Sequence, residues 1–259
     1  MNKLSVRQDL FAFLKAPNYN SYGDLNIKQK LIVLVKIYLL AHIGLIIVSI
    51  PVAILKKNGM IGDVVMKTTK TLEWINSDFR AYRIPFFISV AVTIPIIEEL
   101  SFRLQLSKFN HKYIRISLSA LLATFAYMFV AQYLWMPKAY YLIELIRVLY
   151  IVLFSVIFYS VSLNFKNRLK DFEHIWNNNS GIVFYTIAAL FGVLHIFNLE
   201  IRTQDLFFLP LILLPFFIYG LTFGYMRIRF GLIYSVLLHM MVNGSHLLLS
   251  EVIKPILKH

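Results

Sequence analysis

Seven stretches of this chain run through Leu, Ile, Val, Phe and Ala with few interruptions: Leu31–Leu55, Ile84–Leu106, Ile116–Met136, Tyr140–Leu163, Gly181–Leu199, Leu206–Met226 and Phe230–Leu249. Each has about the length a helix needs to cross a hydrocarbon core, roughly 20 residues for about 30 Å. With no water in that core, a spanning segment must satisfy its backbone internally, as a helix or a closed barrel. These runs are apolar on every face, which excludes the two-residue alternation of a barrel strand. Only 15% of the residues are charged, against roughly 25% in an ordinary soluble domain. The expected fold is all-α, a polytopic membrane helical bundle of about seven (seven or eight) transmembrane helices. Residues 1–30 are expected to form a cytoplasmic or interfacial N-terminal segment, and residues 31–259 a single transmembrane bundle.

The polar residues say how such a bundle sits. The first 30 residues carry Lys3, Arg7, Lys15, Lys28 and Lys30, with Phe11, Phe13 and Leu14 as the apolar side of a short interfacial helix. They do not read as a cleavable signal, because the first apolar run starts late and is too long. The basic loops at 108–115, 166–170 and 227–229 are assigned to the cytoplasmic face. The linker at 56–83 is also basic. It leaves open whether a further segment enters the membrane there, and so on which side the N-terminus lies. Net charge is +13 and there are no cysteines. The charge suits anionic headgroups; no basic stripe interleaved with exposed aromatics points to nucleic acid. Disulfides and thiolate metal sites are excluded.

Against this background Glu98-Glu99-Leu100-Ser101-Phe102-Arg103 stands out, because ionisable groups at membrane depth are costly and mark functional sites. Glu99 and Arg103 are four residues apart, so a helix sets them on one face as an ion pair. Glu98 points about 100° away and is free to face another neighbour, with Phe102 walling its face. A carboxylate in a cavity of low dielectric suits a general base working near neutral pH. Pro95 is expected to bend or interrupt the helix and start a half-helix that carries both glutamates.

Two later spans hold partners at the same spacing: Phe191 with His195, and His239 with Asn243. Alone, each pair reads as packing or as an interhelical hydrogen bond worth about 0.6 kcal/mol. Glu144 and Arg147 read as a structural pair, His246 as a packing residue on the His239 face, and His42 has no obvious partner. Depth counted from the span boundaries at ~1.5 Å per residue separates Glu98 and His195 by roughly 10 Å along the membrane normal, unless a bend absorbs it.

In this order, Glu-Glu-x-x-x-Arg, Phe-x-x-x-His and His-x-x-x-Asn, the chain resembles the CPBP family of intramembrane proteases. It is also called the CAAX-protease or Abi family and includes the type II CAAX prenyl endopeptidases. The resemblance covers about residues 85–250. It departs from the family pattern at Leu104, usually Gly, and by an insert about one helical hairpin long between Glu98 and His195, which the spans at 116–163 supply. The resemblance implies a glutamic-type endopeptidase in which Glu98 and His195 activate the attacking water. His239 and Asn243 would stabilise the oxyanion, with Glu99, Arg103 and Phe191 in support. No cofactor is expected; the alternative is zinc held by Glu98, His195 and His239, a common donor set for a catalytic ion.

The expected function is hydrolysis of a peptide bond in a membrane-associated or lipidated substrate, in a bacterial plasma membrane. The expected partners are a peptide or protein substrate and the bilayer. Two other classes stay open. One is a non-enzymatic bacteriocin-immunity or scaffold protein on the same fold. The other is a proton- or cation-coupled transporter, which would favour inverted repeats; none is visible.

Overall fold

The chain enters through two short capped turns. In the computed structural model, which describes residues 5–22, 25–62, 65–66, 80–131 and 140–256, helix α1 (Val6–Lys15) starts at Ser5 and helix α2 (Ile27–Lys57) at Asn26. Each start is a reciprocal capping box, in which the cap side chain accepts from a backbone N–H three residues on and a Gln side chain accepts in return. Helix α3 (Arg80–Ile88) continues through a π turn, Ser89–Thr93, into α4 (Ile94–Phe102). Next come α5 (His111–Ala131) and α6 (Tyr140–Ser162), which pack along each other as a hairpin. A surface helix follows, α7 (Lys166–Asn178), and then α8 (Ser180–Leu194). Helices α9 (Leu209–Phe230) and α10 (Leu232–Ile256) close the chain. Strands β1 (Val65–Met66) and β2 (Leu199–Glu200) pair antiparallel, Val65 with Glu200 and Met66 with Leu199.

Among the described residues six helical stretches are long and apolar enough to cross a membrane: Ile27–Lys57, Ile84–Phe102, Leu145–Ser162, Ser180–Asn198, Thr203–Phe230 and Leu232–Leu249. The bundle is all-α, and its outer surface is apolar. Leu39, Ile43, Ile46, Ile47, Ile50 and Ile54 of α2 are all more than half exposed, a surface that suits lipid. The interior is built from Phe13, Ile37, Phe184, Phe191, Phe223, Tyr225, Met226 and Leu238, drawn from α1, α2, α8, α9 and α10.

The two ends of the bundle can be told apart. At one end Arg229 meets Asp9 at 3.4 Å, Tyr22 N–H donates to the Arg229 carbonyl at 2.8 Å, and Ser180 Oγ donates to the Pro17 carbonyl at 2.7 Å. Trp176 Nε1 donates to the Ser107 carbonyl at 3.0 Å there too. Helix α1, the start of α2, the loop after α4 and the α9–α10 turn therefore share one face. At the other end Gly62 N–H donates to Asp205 at 3.2 Å, next to the paired strands. The N-terminal segment thus lies on the same face as the basic stretches at 108–112 and 227–229. The amphipathic middle expected for the 56–83 linker lies outside the described residues.

Two expectations change. The basic stretch at 166–170 opens α7 and is not a loop. Pro95 takes an opening position of α4, as expected for the start of a half-helix, but no gap interrupts the backbone, because the π turn before it carries the helix on. A π turn leaves carbonyls out of step with the ordinary ladder, and Val90 within it accepts from Asn243 Nδ2 at 3.0 Å.

Candidate active site

Helix α4 carries both glutamates, and their adjacency separates them. Glu99 is fully buried. Arg103, four residues on and also fully buried, sets Nη1 3.6 Å from Glu99 Oε1. The guanidinium carbon lies over the Phe191 ring, 3.7 Å from its centroid, where the ring's negative face attracts a cation. None of its nitrogens makes a hydrogen bond among the described residues, so the carboxylate and the aromatic rings are its compensation. The end of α4 is fastened by Arg227, which donates to the carbonyls of Arg103 and Leu104, both at 2.9 Å.

Glu99 reaches across to α10. Ser235 Oγ donates to its Oε2, and His239 Nδ1 lies 3.0 Å from its Oε1. Facing an acceptor, Nδ1 carries the hydrogen. That leaves His239 Nε2 on the far side of the ring, 3.5 Å from Glu98 Oε2. The ring itself is fixed by Phe223, stacked at 4.3 Å between centroids, and by the edge of Phe191 at 5.9 Å.

His195 follows α8 at the start of a 3₁₀ turn, His195–Asn198. Its Nδ1 donates to the Phe191 carbonyl at 2.7 Å, and its ring is held between Phe191 at 4.5 Å and Phe216 at 4.4 Å. Nε2 is then left for other chemistry. The expected 10 Å offset between Glu98 and His195 is not there. Phe102 and Phe191 meet edge to face at 5.4 Å. From that contact, one turn back along α4 gives Glu98 and one turn on along the oppositely directed α8 gives His195. Both reach the same level, because α4 ends at Phe102 and the crossing therefore starts and stops earlier than hydropathy alone suggests.

Glu98 and His195 line one cavity of about 200 Å³, walled by Ile94, Ile97, Phe102, Phe125, Leu194 and Phe197. His239 stands behind Glu98, and Asn243 is spent in part on Val90. An amide nitrogen has two hydrogens, so one remains after that bond. Polar residues that the motifs do not single out also line the cavity: Thr124, Tyr127, Arg147 and Asn198. Arg147 Nη2 donates to Ser89 Oγ at 2.5 Å; the side chain of Glu144, its expected partner, lies outside the described residues. Asn198 is three residues after His195, and a 3₁₀ turn eclipses i with i+3. The spacing was visible in the sequence; the 3₁₀ geometry was not. His42 and His246 lie apart from the cavity, stacked on each other at 5.6 Å, with Tyr219 Oη 2.9 Å from His246 Nε2.

For a metal ion the donor chemistry is partly right. Each histidine gives Nδ1–H to an acceptor, the usual second partner of a ligating imidazole. Among the described residues, however, no three His, Cys, Asp or Glu side chains gather in a way that would hold an ion.

Residues 166–245 match the family model described as type II CAAX prenyl endopeptidase Rce1-like. Over these residues the chain is similar to the CAAX-protease family. The matched region runs from α7 into α10 and includes Phe191, His195, His239 and Asn243. It stops short of α4, so Glu98, Glu99 and Arg103 join it through the contacts just described. No curated protein and no solved structure matches the chain.

Proposed function

We propose that the protein is an intramembrane endopeptidase of glutamic type, acting on a membrane-associated or lipidated peptide. The reading is carried by one observation: Glu98 shares a cavity with His195 while His239 links it to the buried Glu99–Arg103 pair. Peptide hydrolysis needs a base, a positioned water and donors aimed at the developing oxyanion. Glu98 takes a proton from water held between it and His195 Nε2. The water oxygen bonds to the scissile carbonyl carbon, and the negative charge passes to the carbonyl oxygen. On this reading His239, beside Glu98, and the remaining Asn243 amide hydrogen stabilise the oxyanion; neither side chain lines the cavity, so the substrate carbonyl would have to reach past Glu98 to meet them. The proton on Glu98 then goes to the leaving nitrogen as the C–N bond breaks, giving a carboxylic acid and an amine, and the acid's proton passes to the amine to leave a carboxylate and an ammonium. The apolar cavity wall favours a lipid-bearing substrate that enters from the membrane.

Glu98→Gln is expected to abolish cleavage of a prenylated peptide in detergent or vesicles, with the helical circular dichroism and melting temperature close to wild type. Retained cleavage would sink the reading and favour a scaffold role. The paired Nδ1–H contacts of the two histidines keep zinc as the second reading. Activity that survives 1,10-phenanthroline excludes it; activity lost and then restored by added zinc favours it.

A further inference from the structure

Away from the cavity, at the face that carries the N-terminus, a pocket of about 310 Å³ is lined by Lys30, Lys108, Arg227 and Arg229, with Tyr19, Ser21 and Tyr22 on the N-terminal strap. No acidic side chain lines it among the described residues. Asp9, behind the wall, is engaged by Arg229 at 3.4 Å and by Tyr225 Oη at 2.7 Å. Arg227 gives its hydrogen bonds to the Arg103 and Leu104 carbonyls, which are neutral. Lys30 rests over the Tyr234 ring at 5.7 Å, and Lys108 is exposed. Arg229 is paired with Asp9, but Lys30, Lys108 and Arg227 bring three further cations to one hollow that no anionic side chain lines among the described residues, an arrangement that favours a bound anion. Tyr19 Oη, buried beside the pocket, lacks a hydrogen bond among the described residues. Burial pushes both strap phenols up, Tyr22 to about 12 and Tyr19 further, so both stay protonated donors.

The place selects the anion. The pocket lies where α9 ends, α10 and α2 begin and the loop after α4 emerges, which is the level of lipid headgroups for helices that cross a bilayer. Basic pockets between helix ends on that side recognise anionic headgroups, and a phosphate offers three acceptor oxygens to converging donors.

We propose that this pocket binds the phosphate of an anionic phospholipid headgroup. Because Arg227 reaches from the pocket to the last carbonyls of α4, the lipid would also steady the helix that bears Glu98.

The test uses the full chain in neutral detergent, with phosphatidylglycerol, phosphatidylcholine or inorganic phosphate added separately. Bound lipid is counted by native mass spectrometry and stability is followed as melting temperature. Phosphatidylglycerol should be retained several-fold over phosphatidylcholine and should raise the melting temperature. Lys30→Gln/Lys108→Gln should lose that preference. Arg7→Gln/Lys15→Gln, which removes the same charge from the same face outside the pocket, should keep it. Equal retention of both lipids, or an unchanged preference in the Lys30/Lys108 variant, would overturn the proposal. Inorganic phosphate stabilising the chain without any phosphatidylglycerol preference would overturn the lipid assignment and make this a site for soluble phosphate.

Discussion

Glu98 and Glu99 are neighbours in sequence and differ in almost everything else. Glu99 is fully buried, and its two oxygens are committed to Arg103, Ser235 and His239. Glu98 is about a fifth exposed and faces the cavity. The same substitution should therefore give opposite phenotypes at the two positions. Glu99→Gln leaves the buried Arg103 guanidinium without its counter-charge, a loss that typically costs about 3–5 kcal/mol. It should melt well below wild type even in the presence of lipid, whereas Glu98→Gln should not. If the two variants melt together, the division of labour drawn between them is wrong. This much was legible in the sequence, because i,i+4 pairing is local geometry that any helix imposes. The bridge from His239 to both carboxylates was not legible. It depends on how far α10 is rotated about its axis, and that rotation is set by packing against α4 and α9.

At the scale of elements, the site is held by the approach of α8 to α9. Gly220 and Gly224 are four apart on α9, the small-x-x-x-small spacing that lets helix backbones come close in a membrane. A methyl group at Gly220 would stand 2.9 Å from the Ala188 carbonyl oxygen, and one at Gly224 2.7 Å from the Phe184 ring. The backbone contact is the less forgiving, since a carbonyl inside a helix cannot swing aside. Gly220→Ala should force the helices apart and cost about 1–3 kcal/mol, the usual range for overpacking. It should also lower turnover, because α8 delivers His195 and α9 delivers the Phe223 ring under His239. A variant with wild-type stability and turnover would show that the close approach is not needed. The turn into α10 depends on Gly231, whose φ of +101° is open to glycine and poorly tolerated by other residues. Hydropathy located these helices. It missed the π turn and α7, since a π turn has no compositional mark and α7 is too polar to register as a span.

At the scale of the molecule, sidedness was the open question, because the basic linker at 56–83 weighed against the basic loops. A charge count treats every loop alike, but contacts do not. The pairing of Arg229 with Asp9, more than 200 positions earlier in the chain, and of Ser180 with Pro17 ties the N-terminal segment to the face of Lys108 and Arg227. Helix α2 then leads away, so Lys57 belongs to the opposite face, with Asp205 and the paired strands. Such long-range pairs leave no trace in local composition, which is why the sequence could place the spans but not their start. With no native cysteine in the chain, the arrangement can be checked one position at a time. Lys15→Cys, Lys108→Cys and Lys57→Cys are each exposed to a membrane-impermeant maleimide, first in intact cells and then in opened ones. Lys15→Cys and Lys108→Cys should label alike, only after opening if that face is cytoplasmic, and Lys57→Cys should label in the other condition. Labelling of Lys15→Cys together with Lys57→Cys would detach α1 from the α9–α10 turn. It would also remove the strap from the basic pocket and return the N-terminus to the opposite side of the membrane.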